Sequence, residues 1–363
     1  MIEIFGPNYR YQGEILTQPE ILYVKDHCYD EENQCYPLKL LLENSACDPK
    51  SHLIVFDHVN HEDELQGYQC LCLPIFLAAE TEEFRRRNIQ TDWTAKTHAF
   101  NFMINKPRLH REFLLMLIEH FELHNYKHTL AWKSIVTRNK TLQQRTTNPL
   151  YLDIISAGSI SIPTTNYVFG PEVALDQGIK NGNFKNAKTY QQLLQKTVFE
   201  PSCISLITEP AFFERETIHT EKTIMAIYGG TIPIWVGGWR LPDYLKTMGF
   251  DVFDDLVDHS YQNMPDAMDR CYFAIERNLD LLRDFDRVKE FIANNHARFE
   301  HNVQLLLKNV FFEHCLRQID LYQGVEKEAL NHIVPNFRNQ MFKHYRSIDD
   351  YKLLGSIPRG EVY

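Results

Sequence analysis

The chain has 363 residues, 44% of them hydrophobic and 12% aromatic, and a formal net charge of −10. That length favours two domains over one, and the apolar content excludes a largely disordered chain. The acidic balance argues against a nucleic-acid binder, which needs clustered Lys and Arg against phosphates, and leaves room for a local basic cleft.

Eight cysteines show no C-x-x-C pair and no zinc spacing, so free and mostly buried thiols are expected, with Cys70 and Cys72 on one strand face. The start MIEIFGPNYRYQG lacks the basic and apolar regions of a signal peptide, and no run reaches the length of a membrane span. A cytoplasmic enzyme without a membrane span is the expectation.

In chain order, short apolar runs predict strands at 20–24 (EILYV), 52–56 (HLIVF) and 68–76 (YQCLCLPIF), with a helix-like LKLLLEN between the first two. The charged stretch 82–96 reads as an interdomain linker. A new unit opens with the strand 98–104 (HAFNFMI). Asn105 suits an N-cap and Pro107 a first turn, and Leu109, Phe113, Met116, Leu117 and Phe121 follow a helical spacing. Residues 137–188 are polar and carry no clear period.

Alternation then returns: strand 203–207 (CISLI), helix 220–228, strand 231–236 (TIPIWV), helix 240–248 and a short strand end at 249–253. Such a series argues for a parallel sheet flanked by helices. From about Pro265 the pattern is helical. The expected division is 1–95, a first domain; 96–300, a second domain; and 301–363, a helical C-terminal segment.

Two helix starts carry the wrong charge. Helix N-termini are partially positive, yet one start holds Lys106, Arg108, His110 and Arg111, and the other holds Lys222 beside Glu221. Basic side chains there fit an expected anion, because phosphates bind at helix starts that follow parallel strands. Arg108 and Arg111 are three apart, so one helix face can present both. The competing reading of each start is a solvated charged turn. G-x-G-x-x-G, G-x-x-x-x-G-K-[ST] and H-E-x-x-H are all missing, which argues against the usual dehydrogenases, P-loop proteins and zinc proteases. Asp254-Asp255 reads as a surface turn rather than a metal pair.

The string TEKTIMAIYGGTIPIWVG at 220–237, preceded by CISLITEP, resembles the donor-binding motif of the α-1,3-fucosyltransferase family, and FNFMINKPRLHREFLLMLIEHF matches the family's upstream strand and helix. The similarity extends to a broader group of bacterial and viral glycosyltransferase-like proteins. It implies an α/β enzyme of GT-B type, with two Rossmann-like domains facing a cleft. It also implies a metal-independent, inverting transfer from a GDP- or UDP-sugar to a hydroxyl acceptor such as a glycan. No bound cofactor is implied beyond this nucleotide-sugar co-substrate.

On that resemblance the donor residues are Arg108, Arg111, Thr220, Glu221 and Lys222, and Glu209, in contact with donor hydroxyls, is expected among the catalytic residues. Where the family has F-E-N this chain has Thr208-Glu209-Pro210, so the resemblance does not specify GDP-fucose. An inverting transfer needs a general base. Asp57, directly after HLIVF, is the first candidate, with Glu62, Asp63 and Glu64 beside it; a turn or cap is its alternative role. Trp235, Trp239 and Tyr244 read either as stacking platforms or as core. The alternative to an enzyme is a non-catalytic glycan- or protein-binding chain with a decayed nucleotide pocket.

Overall fold

The computed structural model describes residues 2–5, 20–24, 52–56, 69–87, 92–103, 109–126, 128–131, 139–158, 195–209, 217 and 219–323. Among these, the fold is α/β with parallel strands, flanking helices and a helical C-terminal region.

Strands β1 (Ile2–Phe5), β2 (Glu20–Val24), β3 (His52–Phe56) and β4 (Gln69–Cys72) pair in sequence order, all parallel. The expected strand at 68–76 stops at Cys72. Helix α1 (Ile75–Arg87) takes over, and the first half of the expected linker belongs to it. The physical reason is two-sided packing. Leu77, Ala78 and Phe84 are buried against the main core, while Ile75 and Ala79 join a smaller cluster with Leu53, Val55 and Leu71. The charges that suggested a linker are accommodated: buried Glu82 accepts two hydrogen bonds from Arg85, three residues along the same helix.

The second sheet holds β5 (His98–Met103), β6 (His128–Ala131), β7 (Ser202–Ile207) and β8 (Ile232–Trp235), in the spatial order β6-β5-β7-β8 and parallel throughout. β6 carried no clear sequence signal. Every residue of β7 and β8 is buried, as expected for strands covered on both faces. Phe100 and Phe102 of β5 are fully enclosed, each contributing about 2–3 kcal/mol of transfer free energy. The buried polar groups are matched across strands: Asn101 donates to Ser205 Oγ, which in turn bonds Thr231 Oγ1.

Helices follow the strands. α2 (Leu109–His120) comes after β5, and α3 (Asn139–Gln143) and α4 (Pro149–Ala157) lie within the polar stretch that showed no period. α5 (Glu221–Tyr228) follows β7 and α6 (Leu241–Thr247) follows β8. The short strand expected at 249–253 does not form. Asp251 is held instead by the Asn302 amide, which accepts from its N–H and donates to its C=O, so side-chain bonds replace a ladder.

The C-terminal helices are α7 (Ala267–Glu276), α8 (Leu279–Arg283), α9 (Phe285–Asn294), α10 (His296–Leu307) and α11 (Val310–Leu321). The boundary expected after residue 300 falls inside α10. α11 returns to the first sheet: Cys315 and Ile319 pack with Leu53 and Leu71, and Asn309 donates to Ala78 O.

The C-terminal end of α5 is clamped by the segment before β5. Trp93 Nε1 donates to Tyr228 O at 3.0 Å, and the Lys96 ammonium reaches Gly229 O at 2.7 Å. Gly230 follows at φ +57°, and a Cβ there would lie 2.7 Å from the Trp93 ring. A cation suits this negative helix end. Lys96 is nevertheless only 2% exposed, and burial pushes its pKa down to about 7, against the opposing pull of Cys203, Glu200 and Asp92.

A pH dependence follows. Between about 7 and the ordinary lysine value of 10.5 the unfolded chain binds a proton that folded Lys96 does not, so stability rises with pH through that window. Below it both states are protonated and the cost is constant. Urea midpoints of the wild type should therefore climb with pH relative to Lys96→Met. Parallel profiles would contradict the assignment.

Candidate functional site

The second sheet reverses its strand order between β5 and β7: the chain leaves β5 to build β6 on one side and returns to build β7 on the other. Ligand crevices in open parallel sheets form outside the carboxyl ends of the strands at such a point. The helices that start there are α2 and α5, the two whose first turns carry unexpected basic residues.

Arg111, in the first turn of α2, is 4% exposed. Its Nε donates to Thr208 Oγ1 at 3.2 Å and its Nη2 to Thr208 O at 3.4 Å, at the carboxyl end of β7. The next residue is Glu209, which engages the start of α5. The guanidinium and α5 thus meet at one strand end. Arg111 is among the groups that favour the ionised form of Glu221.

The start of α5 is capped in two tiers. Thr220 is the N-cap, its hydroxyl accepting from the Lys222 N–H. Behind it lies the Glu209 carboxyl, 2% exposed. Glu209 Oε1 accepts from the Thr220 N–H at 2.9 Å, and its Oε2 accepts from the Thr220 hydroxyl at 2.5 Å. The Thr223 hydroxyl lies 2.8 Å from Oε1. These contacts tie Glu209, two residues past β7, to the first turn of α5, which is a positional role.

The Lys222 ammonium, 7% exposed, donates to Thr220 Oγ1 at 3.2 Å and to Glu221 Oε1 at 2.9 Å. Burial works against ionisation of Glu221, yet the Lys222 charge and hydrogen bond hold its pKa below the ordinary value. Glu221 is part-exposed and so presents a carboxylate at the rim.

Structure adds His219, Thr223 and Arg270, which the sequence did not single out, and places the three expected aromatic residues. His219 is buried, with Nδ1 3.1 Å from Thr223 Oγ1 and Nε2 2.9 Å from Leu241 O. Burial pushes its pKa down to about 4. Trp235 is fully buried and donates to Thr223 Oγ1, which places it in the core rather than on a platform. Tyr244 stacks on His219. Trp239 is partly buried beneath the fully buried Arg270, whose guanidinium sits 5.5 Å from the ring and donates to Met264 O and Pro265 O. A polar residue interrupting the apolar face of α5, Thr223, was the one available sequence signal for this network.

Of the remaining expected residues, Asp57, Arg108, Lys106, Glu62, Asp63 and Glu64 lie outside the described residues. Asp254 and Asp255 are exposed and pair with Lys246 and Arg298. Both border or line an open groove of about 470 Å³, with Asp243, Asp258 and His259. Its mostly acidic lining is the wrong charge for a phosphate, and neither Arg111 nor Lys222 lines it. Among the described residues no group of three or more His, Cys, Asp or Glu is placed to hold a metal ion, and no helix is long and apolar enough to cross a membrane.

Comparison with protein-family profiles, with curated proteins and with solved structures gives no match.

Proposed function

We propose that the chain is a glycosyltransferase that takes its sugar from a nucleotide diphosphate donor and passes it to a hydroxyl acceptor, on a GT-B plan. One observation carries this reading: at the strand-order reversal, the first turns of α2 and α5 bring Arg111 and the start of α5, with Lys222, to the end of the same strand. A diphosphate suits two helix N-termini with a guanidinium fork and an ammonium between them.

In this reading Arg111 and Lys222 offset the charge that develops on the departing diphosphate, without a metal ion. Glu221 at the rim takes a ribose or sugar hydroxyl. Thr220 and Glu209 hold the start of α5 in place, and the acceptor is presented from the side of the first sheet, where Asp57 is the proposed base. The sugar is left open, because the fucosyltransferase-type F-E-N is replaced by Thr208-Glu209-Pro210.

GDP, UDP and their sugars test the reading by thermal shift. At a roughly hundredfold excess over Kd, binding adds about 2.7 kcal/mol, several degrees in Tm. Arg111→Ala and Lys222→Ala are expected to remove that shift while remaining folded. A full panel that gave neither a shift nor donor hydrolysis would sink it.

A second reading is favoured by the pairing of Lys222 with Glu221, which already balances one cation. A binding protein with a decayed pocket would retain glycan or protein binding in Lys222→Ala and show no turnover.

A further inference from the structure

The hydrogen bonds around Thr223 require a proton that no simple ionisation pattern supplies. Its hydroxyl has one hydrogen to donate and two lone pairs to accept with. Trp235 Nε1–H takes one lone pair, at 3.0 Å. The two remaining neighbours are Glu209 Oε1 at 2.8 Å and His219 Nδ1 at 3.1 Å. Thr223 can donate to one of them only, so the other must donate to Thr223.

The partners narrow the choice. Leu241 O can only accept, so His219 Nε2 carries a hydrogen. A second hydrogen on Nδ1 would make a buried imidazolium. The Thr220 hydroxyl donates to Glu209 Oε2 while its lone pairs face the Lys222 N–H and Nζ, so Oε2 has no acceptor for a hydrogen of its own. Oε1, which also accepts from the Thr220 N–H, is the position left for an acid proton. The two candidate states are therefore a neutral acid with a neutral imidazole, or a carboxylate with an imidazolium, both buried.

We propose that Glu209 is stored as the neutral carboxylic acid, donating from Oε1 to Thr223, which donates in turn to Nδ1 of His219. Burial favours the neutral pair over two separated buried charges. The directions agree: burial raises the Glu209 pKa against the pull of Lys222, and burial lowers that of His219. The other charged or titratable groups facing this network are Glu221 beside Lys222, Arg111 on the adjoining Thr208, His259 against the Trp235 ring, Tyr244 on His219, and His314 edge-on to Tyr244.

The consequence rests on the nucleotide-sugar reading. With Glu209 neutral, Arg111 and Lys222 outweigh Glu221 among the four side chains, which favours an incoming diphosphate. With Glu209 ionised, the four side chains would sum to zero. Glu209 and His219 are thus positioning residues that set the charge of the site without touching the ligand.

Nitrogen-15 histidine NMR of the full chain reads the proton directly, with His219 assigned by its contact to the Trp235 indole. The expected state through neutral pH is the Nε2–H tautomer with a bare Nδ1. An imidazolium, or a hydrogen on Nδ1, would overturn the proposal. Infrared spectroscopy should show a protonated-carboxyl band that Glu209→Gln removes, and a wild type without that band also overturns it.

Calorimetry with inorganic pyrophosphate supplies the functional arm. Glu209→Gln should bind within about threefold of the wild type, whereas deleting an ionised carboxylate beside the anion would tighten binding by roughly tenfold or more. Tighter binding of that size counts against the neutral acid. If pyrophosphate does not bind while the NMR and infrared results hold, the proton assignment stands and the nucleotide-sugar reading falls.

Discussion

Glu209→Ala should destabilise the chain by about 3–5 kcal/mol, the largest loss expected from a single substitution at the start of α5. The carboxyl satisfies the Thr220 N–H and Thr220 hydroxyl and shares a hydrogen bond with Thr223. Truncation leaves these groups buried without their partners, and α5 loses its link to β7. Most of α5 is buried, so the loss cannot be made good by solvent. Glu209→Gln keeps both acceptor and donor capacity and should cost about 1 kcal/mol. Chemical denaturation of both variants checks the contrast. Equal losses would show that an amide of the same shape cannot stand in for the carboxyl, and would contradict a neutral acid at this position.

Arg270→Ala should cost about 3–4 kcal/mol and loosen the loop after β8. The side chain is fully buried, donates to Met264 O and Pro265 O, and lies over Trp239. Removing it opens a cavity and deprives Met264 O and Pro265 O of a donor. Arg270→Lys should recover little, because an ammonium cannot reproduce a planar fork that also stacks on an indole. The Trp239 carbonyl accepts from Thr217, ahead of α5, so the loosening should reach the candidate site. Trp fluorescence and the urea midpoint, measured together, report both effects. A midpoint within about 1 kcal/mol of the wild type would contradict this account.

The second sheet was legible because its signals were local. CISLI and TIPIWV are short apolar runs with turns on either side, and Thr220 is a good N-cap directly before an apolar helix. The predicted ends at 203–207, 220–228 and 231–236 differ from β7, α5 and β8 by a residue or so. Helix α1 was not legible, because EEFRRR looks solvated until two clusters close around Phe84 and Ala79. The strand expected at 249–253 failed for a similar reason: Asn302, about fifty residues on, supplies the partners of Asp251.

The candidate site divides in the same way. The basic helix starts could be read from charge against the helix dipole. Their convergence could not, since it depends on strand order and on the Arg111–Thr208 contact across 97 positions. His219 carries no signal of its own, and Thr223 only a polar break in the apolar face of α5. Their role appears only when donors and acceptors around one hydroxyl are counted.

The central claim is that Arg111 and Lys222 form one diphosphate site at the β5–β7 strand ends. Calorimetric titration of the wild type, Arg111→Ala, Lys222→Ala and the double variant with GDP and UDP tests it most directly. At least one of the two nucleotides is expected to bind the wild type, with each single variant weakened by roughly tenfold or more and the double variant showing non-additive loss. Wild-type binding that both single variants retain unchanged would contradict it.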